Sequence, residues 1–493
     1  MRRQRHHVGC AMLLLLMLLM HPLRVHTVCL GVTECNCEPG FVINCRNADL
    51  TAVPSFDLSG SLRTNYSELT LAGNRITSMP ALAFRGLQFR RLDLSDNPLI
   101  RLNSSAFSGL ERHLHELKLT LSSEAEFPAP AIRRLTRLRV LYVSGFGARQ
   151  LPTAALETLS QLVELGLISG SLTTLNPNDL RAQHGSLQTL VLHSNELSGV
   201  PTTALSTVTM LSTLDLSRNQ ISTLPADVFA GLINLAVVDL SNNGLGGGGG
   251  VDAGAFRAAR RLRTLTMKSC QLGDRDVAAL RQLHSIIDLI LSYNNIANLP
   301  ADLFNRMRSL RQLRLDNNQL QTITRSTFSA AASTLEVLDL GHNPLSAKVP
   351  EDAFVDLNYL HELRLDGVTT LQLSAGSFSS RHRRVLRTLS VPGSGIGDRL
   401  WPIVSRLEKL NSLFAARASI SSIPDFAFRR NSALQTIDLS SNAISALTQR
   451  SVYGLADSLA AINLHDNRIT TIDPCTFYQF RSVRNCFSPQ NKS

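Results

Sequence analysis

The sequence has few aromatic residues and few charged residues. Phe, Trp and Tyr make up 5% of the 493 residues, with a single Trp, and Asp, Glu, Lys and Arg make up 18%. Hydrophobic residues still reach 44%, so the chain can bury a large core, which excludes intrinsic disorder and a coiled coil. Beyond the N-terminus no apolar run approaches the roughly 18 residues of a membrane-spanning helix, which excludes a polytopic membrane protein.

The short motifs of the common enzyme classes are missing as well. The sequence contains no H-E-x-x-H, no G-x-S-x-G and no P-loop. The glycine-rich residues 393–397 superficially resemble a nucleotide-binding loop, but they coincide with a turn of the repeat described below and no βαβ unit follows. We therefore expect a protein that is not an enzyme and needs no cofactor and no metal.

Residues 1–27 are typical of a secretory signal peptide. Arg2, Arg3 and Arg5 precede an apolar run at residues 11–20, which is too short to span a bilayer; an uncleaved anchor is the alternative. The polar residues 488–493 indicate neither a GPI signal nor a stop-transfer helix. The mature chain is expected to be secreted, and because four arginines leave with the signal, its net charge falls from +11 to +7.

One pattern of eleven residues recurs along most of the chain. Residues 211–221, LSTLDLSRNQI, carry leucine-type residues at positions 1, 4, 6 and 11 and Asn219 at position 9. Counted by position 9, seventeen units follow one another at intervals of 23 to 27 residues, and ten of them have Asn there. The exceptions are Ser122, Phe146, Gly170, Cys270, Val368, Ser394 and Ala418.

The physical reason for the repetition is burial. A single unit cannot bury its apolar face, so the units must stack, with their short strands in one parallel sheet. The position-9 amides can then satisfy backbone groups where the chain leaves each strand. Phenylalanine recurs in the second half of the units and predicts a second inner column on the other side, which would curve the stack with the sheet on its concave face. These residues are Phe84, Phe107, Phe229, Phe256, Phe304, Phe328, Phe354, Phe378, Phe428 and Phe477.

This pattern resembles the leucine-rich repeat family in its extracellular form, with about 24 residues per unit. The resemblance covers residues 66–470. It implies an α/β solenoid, a horseshoe of about 17 repeats with a parallel concave β-sheet and disulfide-capped ends. The predicted organisation is a signal peptide at 1–27, an N-terminal cysteine cap at 28–58, the repeat array at 59–470 and a short C-terminal cap at 471–493.

Seven cysteines remain after the signal, four of them near the mature N-terminus. The spacing of Cys29, Cys35, Cys37 and Cys45 resembles the N-terminal cysteine cap of secreted leucine-rich repeat proteins. The resemblance implies the bridges Cys29–Cys37 and Cys35–Cys45, although the spacing by itself leaves the connectivity open. A zinc site is the alternative, and secretion favours disulfides.

The other cysteines lie in the middle and at the end of the chain. Cys475 and Cys486 are predicted to form one C-terminal bridge, in a cap shorter than the four-cysteine form usual in the family. Cys270 occupies position 9 and is expected to be a small buried thiol, with an intermolecular disulfide as the alternative. Asn65 and Asn103 begin N-glycosylation sequons that we expect to be exposed, and Asn491 begins another at the chain end.

The strand face of the sheet is the predicted binding surface, and two apolar clusters on it are candidate protein contacts. The first contains Tyr142, Ile168 and Val191 with His193 beside them, and the second contains Ile287, Ile290 and Tyr293.

A charged row is predicted on the same face, formed by Arg314, Asp339 and Arg364 on three successive strands. Opposite charges side by side are interpreted first as a salt-bridge ladder. A ligand contact joined by Asp316, Glu362 and Asp366 is the alternative.

Arginine outnumbers lysine 44 to 5, and much of it falls 13 to 7 residues before position 9. A stack converts a shared phase into a shared flank, which is either a solvated edge or a stripe for sulfated glycosaminoglycan. The second hypothesis predicts salt-dependent retention on heparin that weakens when Arg381, Arg383 and Arg384 become Ser. Nucleic acid is not expected as a partner outside the cell.

The function indicated by these features is recognition of an extracellular protein, on a cell surface or in the matrix, by a preordered sheet. Chaoptin-like and Toll-type ectodomains are similar in repeat form. The alternative is a non-catalytic subunit of a secreted enzyme assembly, since residues 474–477 after the array are similar to arthropod proteins resembling the non-catalytic subunit of a luciferin monooxygenase. The partner and the oligomeric state are not predictable from the sequence.

Overall fold

The computed structural model describes residues 28–58, 65–152, 154–247, 250–345, 349–369, 371–478, 480 and 485–486. The predicted signal peptide and the sequon at Asn491 lie outside the described residues. The chain forms two compact units, Met1–Phe146 and Gly147–Ser493.

Unit 1 begins with the cysteine cap. Strand β1 (Val28–Cys29) pairs antiparallel with β2 (Val32–Glu38), and β2 pairs antiparallel with β3 (Val42–Asn44). The disulfides Cys29–Cys37 and Cys35–Cys45 tie these strands together, which confirms the implied pairing. β3 then pairs parallel with the first repeat strand, so the cap covers the raw end of the stack that would otherwise expose apolar side chains.

The remainder of unit 1 is a stack of parallel strands. β4 (Asn65–Thr70), β6 (Gln88–Leu99), β8 (Glu116–Leu121) and β9 (Val140–Ser144) pair in that order. On the opposite side β5 (Ser78–Met79) pairs with β7 (Arg101–Leu102), and one helical turn, α1 (Ala129–Ile132), follows. The Phe84 and Phe107 rings stack at 6.3 Å between centroids, which begins the predicted phenylalanine column.

Unit 2 continues the same construction with short parallel strands. They are β10 (Glu164–Ile168), β11 (Thr189–Val191), β12 (Thr213–Asp215), β13 (Val237–Asp239), β14 (Thr264–Thr266), β15 (Asp288–Ile290), β16 (Gln312–Arg314), β17 (Val337–Asp339), β18 (Glu362–Arg364), β19 (Thr388–Ser390), β20 (Ser412–Phe414), β21 (Thr436–Asp438), β23 (Ala461–Asn463) and β25 (Asn485–Cys486). β22 (Ala446–Leu447) and β24 (Thr471–Ile472) form a separate parallel pair. The central residues of successive strands are in register, as Leu190 pairs with Leu214 and Leu214 with Val238.

Among the described residues of unit 2, helical structure is limited to single turns on the back of the coils. These are α2 (Thr202–Leu205), α3 (Asp274–Ala278), α4 (His382–Val385) and α5 (Leu400–Val404), with 3-10 turns at Arg181–Gln183, Ala279–Gln282, Ser329–Ala331, Ala375–Ser377 and Gly397–Arg399. In the described part of the chain, no helix is long and apolar enough to cross a membrane. The back segments of unit 2 bury the predicted phenylalanines except Phe477, which is half-buried. The rings of Phe229 and Phe256 stack at 5.7 Å between centroids. The fold is therefore a β-solenoid of about 17 turns, as the sequence predicts.

The position-9 asparagines join each coil to its neighbour. Asn243 Nδ2 donates to the carbonyl of Leu240 at 2.8 Å in its own coil and to that of Leu216 at 3.0 Å in the coil before. Its Oδ1 accepts from the amide of Ile221 at 2.9 Å. All ten asparagines at this position bond in this way, so the predicted role of the amides is confirmed.

The residue before position 9 adopts a left-handed backbone conformation in almost every coil. Gly145 is one example, with φ 81°, and a Cβ added there would meet the Leu121 carbonyl oxygen at 2.1 Å. Most coils place Ser, Asn, Asp or Gly at this turn, because these residues tolerate positive φ best.

The cysteines outside the N-terminal cap differ in their exposure to solvent. Cys270 is fully buried with a free thiol, as expected for the Asn column. Cys475 also carries a free thiol but is exposed, so no bridge from it is formed among the described atoms; the side chain of Cys486 lies outside them. Asn65 and Asn103 are exposed, at the start of β4 and in the turn after β7, and their glycosylation stays a prediction.

Candidate interaction surfaces

The short strands of unit 2 present one face away from the core. Each three-residue strand buries its central residue. The two flanking residues are half-buried in most strands, and in β17 and β19 the last one is buried. We call these flanking residues, with the turn residues that follow each strand, the open face of unit 2.

The predicted charged row lies on this face, but the predicted ion pairs do not form. Arg314, Asp339 and Arg364 are in register on β16, β17 and β18. None of the ion pairs found among the described residues joins Asp339 to either arginine. Arg364 instead pairs with Glu362, two residues earlier on its own strand, and Arg314 lies within 3.0 Å of the Gln312 amide. The salt-bridge ladder is therefore wrong, because each guanidinium finds its nearest acceptor along the strand.

Asp339 is a buried carboxylate that forms no ion pair among the described residues. Burial raises its pKa to about 6, and the nearby carboxylates of Asp316 and Asp366 act in the same direction. The amide of Gly341 donates to its Oδ1 at 3.1 Å and opposes the shift. Asp366 accepts a hydrogen bond from the Ser390 hydroxyl at 2.6 Å. The carboxylates of Asp339 and Asp366 therefore both accept hydrogen bonds from neighbouring residues.

The second apolar cluster lies on and beside strand β15. Ile290 ends β15, Ile287 directly precedes it, and both are half-buried, whereas Tyr293 is 51% exposed. The ammonium of Lys268 lies 4.8 Å from the centre of the Tyr293 ring, a cation–π contact. Tyr293 is also the turn residue with positive φ, 59°, which is unusual for a bulky side chain.

The residues of the first apolar cluster fall in both units. Tyr142 is half-buried on β9 of unit 1, where it pairs with Lys118 of β8. In unit 2, Val191 of β11 pairs with Gly166 of β10, and Ile168 ends β10. His193 follows β11 and lies 3.1 Å from the Ser194 hydroxyl. Ile168 and His193 lie side by side on adjacent coils, since the amide of Ser169 donates to the His193 carbonyl at 3.1 Å, and all three residues of unit 2 are half-buried.

The arginines singled out in the sequence lie around α4. Arg381 and Arg384 are exposed, but Arg383 pairs with Glu408 of the next coil. Glu408 also lies near Arg384, and the guanidinium of Arg383 holds the pKa of the Glu408 carboxyl below its usual range. One of the three predicted cations is therefore already neutralised by a carboxylate.

Three buried polar residues on the back of the coils escape the sequence analysis. Gln183 and Asn431 each donate two hydrogen bonds to carbonyls of the preceding coil, and His382 lies at the corresponding place. All three are completely buried. The signal in the sequence is a polar residue at or beside the place where regular coils have an apolar one such as Leu232, but only three coils carry it.

A family profile described as leucine rich repeat matches residues 185–245, 260–320 and 308–371, and one described as a BspA type leucine rich repeat region matches residues 406–493. Together with the coil geometry, these matches establish the class: the chain is a leucine-rich repeat protein.

The chain is similar to several known proteins and to solved structures. Human podocan-like protein 1 is 29% identical over 395 residues, 74% of this chain and 73% of that protein. Chaoptin of Drosophila melanogaster is 26% identical over 212 residues, 43% of this chain and 14% of its own length, which bears out the chaoptin-type resemblance. A solved leucine-rich repeat protein of Leptospira interrogans shares the fold with a TM-score of 0.55, at 23% identity over 82% of this chain and 90% of that one.

Proposed function

We propose that the protein is a secreted, non-catalytic recognition protein whose open face in unit 2 binds an extracellular protein. Tyr293 is the observation that carries the proposal. A left-handed conformation costs an L-residue about 1 kcal/mol, and sixteen of the seventeen coils have positive φ at this turn, mostly at Ser, Asn, Asp or Gly. The conformation belongs to the repeat, but an exposed aromatic ring at this turn is not required by it, and exposed apolar side chains that are grouped together mark contact sites.

The surroundings of Tyr293 fit a protein contact. Ile287, Ile290 and the Tyr293 ring supply apolar surface, and Lys268 and Arg314 border it on the adjacent strands. Aromatic and arginine side chains dominate the binding energy of protein interfaces. Because the strands are already ordered, little conformational entropy is lost on binding.

An extracellular setting is supported by two further features. The two disulfides of the cap belong to an oxidising compartment, and a signal peptide is predicted before them. The sequons that start at Asn65 and Asn103 are both in unit 1, and none occurs between residues 147 and 490. Glycans would therefore leave the open face of unit 2 accessible.

Site-specific crosslinking tests this function. A photoreactive residue replaces Tyr293 in the secreted chain, and in a matched control it replaces Tyr359, which is 48% exposed. Position 293 is expected to capture a protein from the native tissue in a saturable manner, and Arg314→Ala is expected to weaken that capture. Equal capture from both positions, or none from position 293, contradicts the proposal. Capture of a catalytic chain would favour the alternative role as a subunit of an enzyme assembly.

A second candidate function is binding of a sulfated glycosaminoglycan. The supporting observation is a set of exposed arginines that have no carboxylate partner among the described residues. They lie on the flank of the coils rather than on the open face, so the two functions can coexist.

A further inference from the structure

Five arginines of unit 2 form a continuous basic surface. We call it the arginine edge, and it consists of Arg260, Arg261, Arg263, Arg306 and Arg308. All five side chains are exposed. None takes part in an ion pair within the described parts of the chain, although Arg261 donates to the Asn234 side chain at 2.7 Å.

Contacts between neighbouring coils place these residues in rows. Arg260, His284 and Arg308 occupy the same phase of three consecutive coils, ten residues before position 9. The Ser285 hydroxyl donates to the Arg260 carbonyl at 2.9 Å, and Arg306 Nη1 lies 3.3 Å from His284 Nε2. A guanidinium beside an imidazole, with no carboxylate between them, marks a surface of uncompensated positive charge.

A second row runs beside the first at the entrance to the strands. The amide of Ile287 donates to the Arg263 carbonyl at 2.7 Å, and the amide of Arg311 donates to the Ile287 carbonyl at 2.8 Å. Since parallel strands repeat at about 4.8 Å, Arg263 and Arg311 are about 10 Å apart along the stack. Arg311 is paired with Glu336, so Arg263 supplies the free cation of this row. In the first row Arg260 and Arg308 have the same two-coil spacing, and cations spaced along a line match a linear polymer that carries anionic groups at regular steps.

The surfaces beside the arginine edge carry carboxylates, which disfavour binding of an anionic polymer there. The open face of the adjacent coils carries Asp288, Asp316 and Asp339, which repel an anion. Several other exposed arginines of unit 2 are paired, as Arg257 is with Asp227 and Arg325 with Asp356. The arginine edge groups five exposed arginines without an ion-pair partner among the described residues.

We propose that the arginine edge, rather than Arg381, Arg383 and Arg384, binds a sulfated glycosaminoglycan chain that lies along the stacking direction of the coils. The inference deepens the second candidate function and rests on it. Sulfate groups are recognised by guanidinium groups through paired, charge-assisted hydrogen bonds, and the affinity must fall with salt because bound counterions are released.

Heparin binding by the full secreted chain tests the proposal. The variant Arg260→Ser/Arg261→Ser/Arg263→Ser is compared with Arg75→Ser/Arg325→Ser/Arg450→Ser, which removes the same charge from three exposed ion pairs. Binding of the first variant at fixed salt is expected to weaken on the order of tenfold, and its dependence of log affinity on log salt to flatten by about 2. Heparin binding by the control variant is expected to change little. Desulfated heparin is expected to bind neither of the two variants.

Three results overturn the proposal. Equal weakening in the two triple variants would indicate attraction by net charge alone. A larger loss in Arg381→Ser/Arg384→Ser would place the site around α4. Binding of the native chain to vesicles of anionic phospholipid, without binding to heparin, would assign the edge to a membrane surface.

Two controls separate loss of binding from loss of folding and from failure of the open face. Thermal unfolding shows whether the first variant is folded, and Arg306→Ser/Arg308→Ser removes arginines of the same edge two coils further along if it is not. Crosslinking from position 293 should persist in every edge variant, so a failed edge and a failed open face give different results.

Discussion

Two sets of buried polar side chains lie in the coils of unit 2: the recurring asparagines at the turn, called the turn column, and three separate residues on the back, called the back column. They differ in how completely their hydrogen bonds are made. In the turn column, Asn318 donates to the carbonyls of Leu291 and Leu315 and accepts from the amide of Ile296. In the back column, Gln183, His382 and Asn431 are as deeply buried, but each leaves one atom without a hydrogen bond of normal geometry.

The difference teaches which buried polar groups hold the coils together. The turn amide bonds to two coils with both its donor and its acceptor, and it returns at ten coils, so every removal leaves backbone groups unpaired. Gln183 and Asn431 donate to the preceding coil but leave their side-chain oxygens without a donor, and His382 leaves its Nε2 without a partner. Buried polar groups that are half satisfied stabilise less than apolar residues of the same size.

Removing a turn amide should have the largest effect. Asn243→Ala leaves the carbonyls of Leu216 and Leu240 and the amide of Ile221 buried without partners, so we expect the free energy of unfolding to fall by about 4 kcal/mol. Urea denaturation measures the loss. The control is Asn305→Ala, at an exposed site, and a similar loss in both variants would show that the column is not a structural connector.

The back column should instead appear as acid sensitivity. Nδ1 of His382 accepts from the Ser379 amide at 3.0 Å, so the hydrogen of the neutral ring is on Nε2. Burial lowers the pKa of His382 to about 4 from an ordinary value of 6.5, against a smaller opposing effect of the Leu357 carbonyl. The unfolded chain therefore takes up the proton first, and stability present above pH 6.5 is lost as the pH falls toward 4.

The size of this loss is at most about 3 kcal/mol. His382→Gln introduces glutamine, the residue that Gln183 provides at the corresponding place of another coil, and removes the titrating imidazole. The difference in unfolding free energy between pH 7 and pH 4.5 should therefore shrink. His284→Gln, at an exposed histidine, is the control. Asp339 shifts in the opposite direction and is common to all variants, so the comparison isolates His382. An unchanged difference in His382→Gln would assign the acid loss to other groups.

The two columns also differ in how visible they are in the sequence. The turn column is predictable because a side chain that bonds to neighbouring coils must recur with the coil. Gln183 and Asn431 are isolated exceptions to an apolar pattern, and one sequence does not distinguish a buried exception from an exposed one. The register of Arg314 and Asp339 is likewise fixed by the repeat, whereas the choice of Arg364 for Glu362 depends on side-chain rotamers that periodicity does not determine.

Cys270 offers the smallest test, because it is a turn-column position that lacks the amide. Its thiol contacts the Leu240 carbonyl at 3.1 Å, and burial raises its pKa to about 11, which keeps it protonated and slow to form an intermolecular disulfide. Asn there can donate to its own coil and to the coil before, so Cys270→Asn is expected to raise the free energy of unfolding by about 1 kcal/mol. Cys270→Ser, with one donor, should change it less. A loss of stability in the Asn variant would mean that the glycine-rich insertion before this coil, residues 246–250, has shifted the backbone away from the geometry that the other ten amides use.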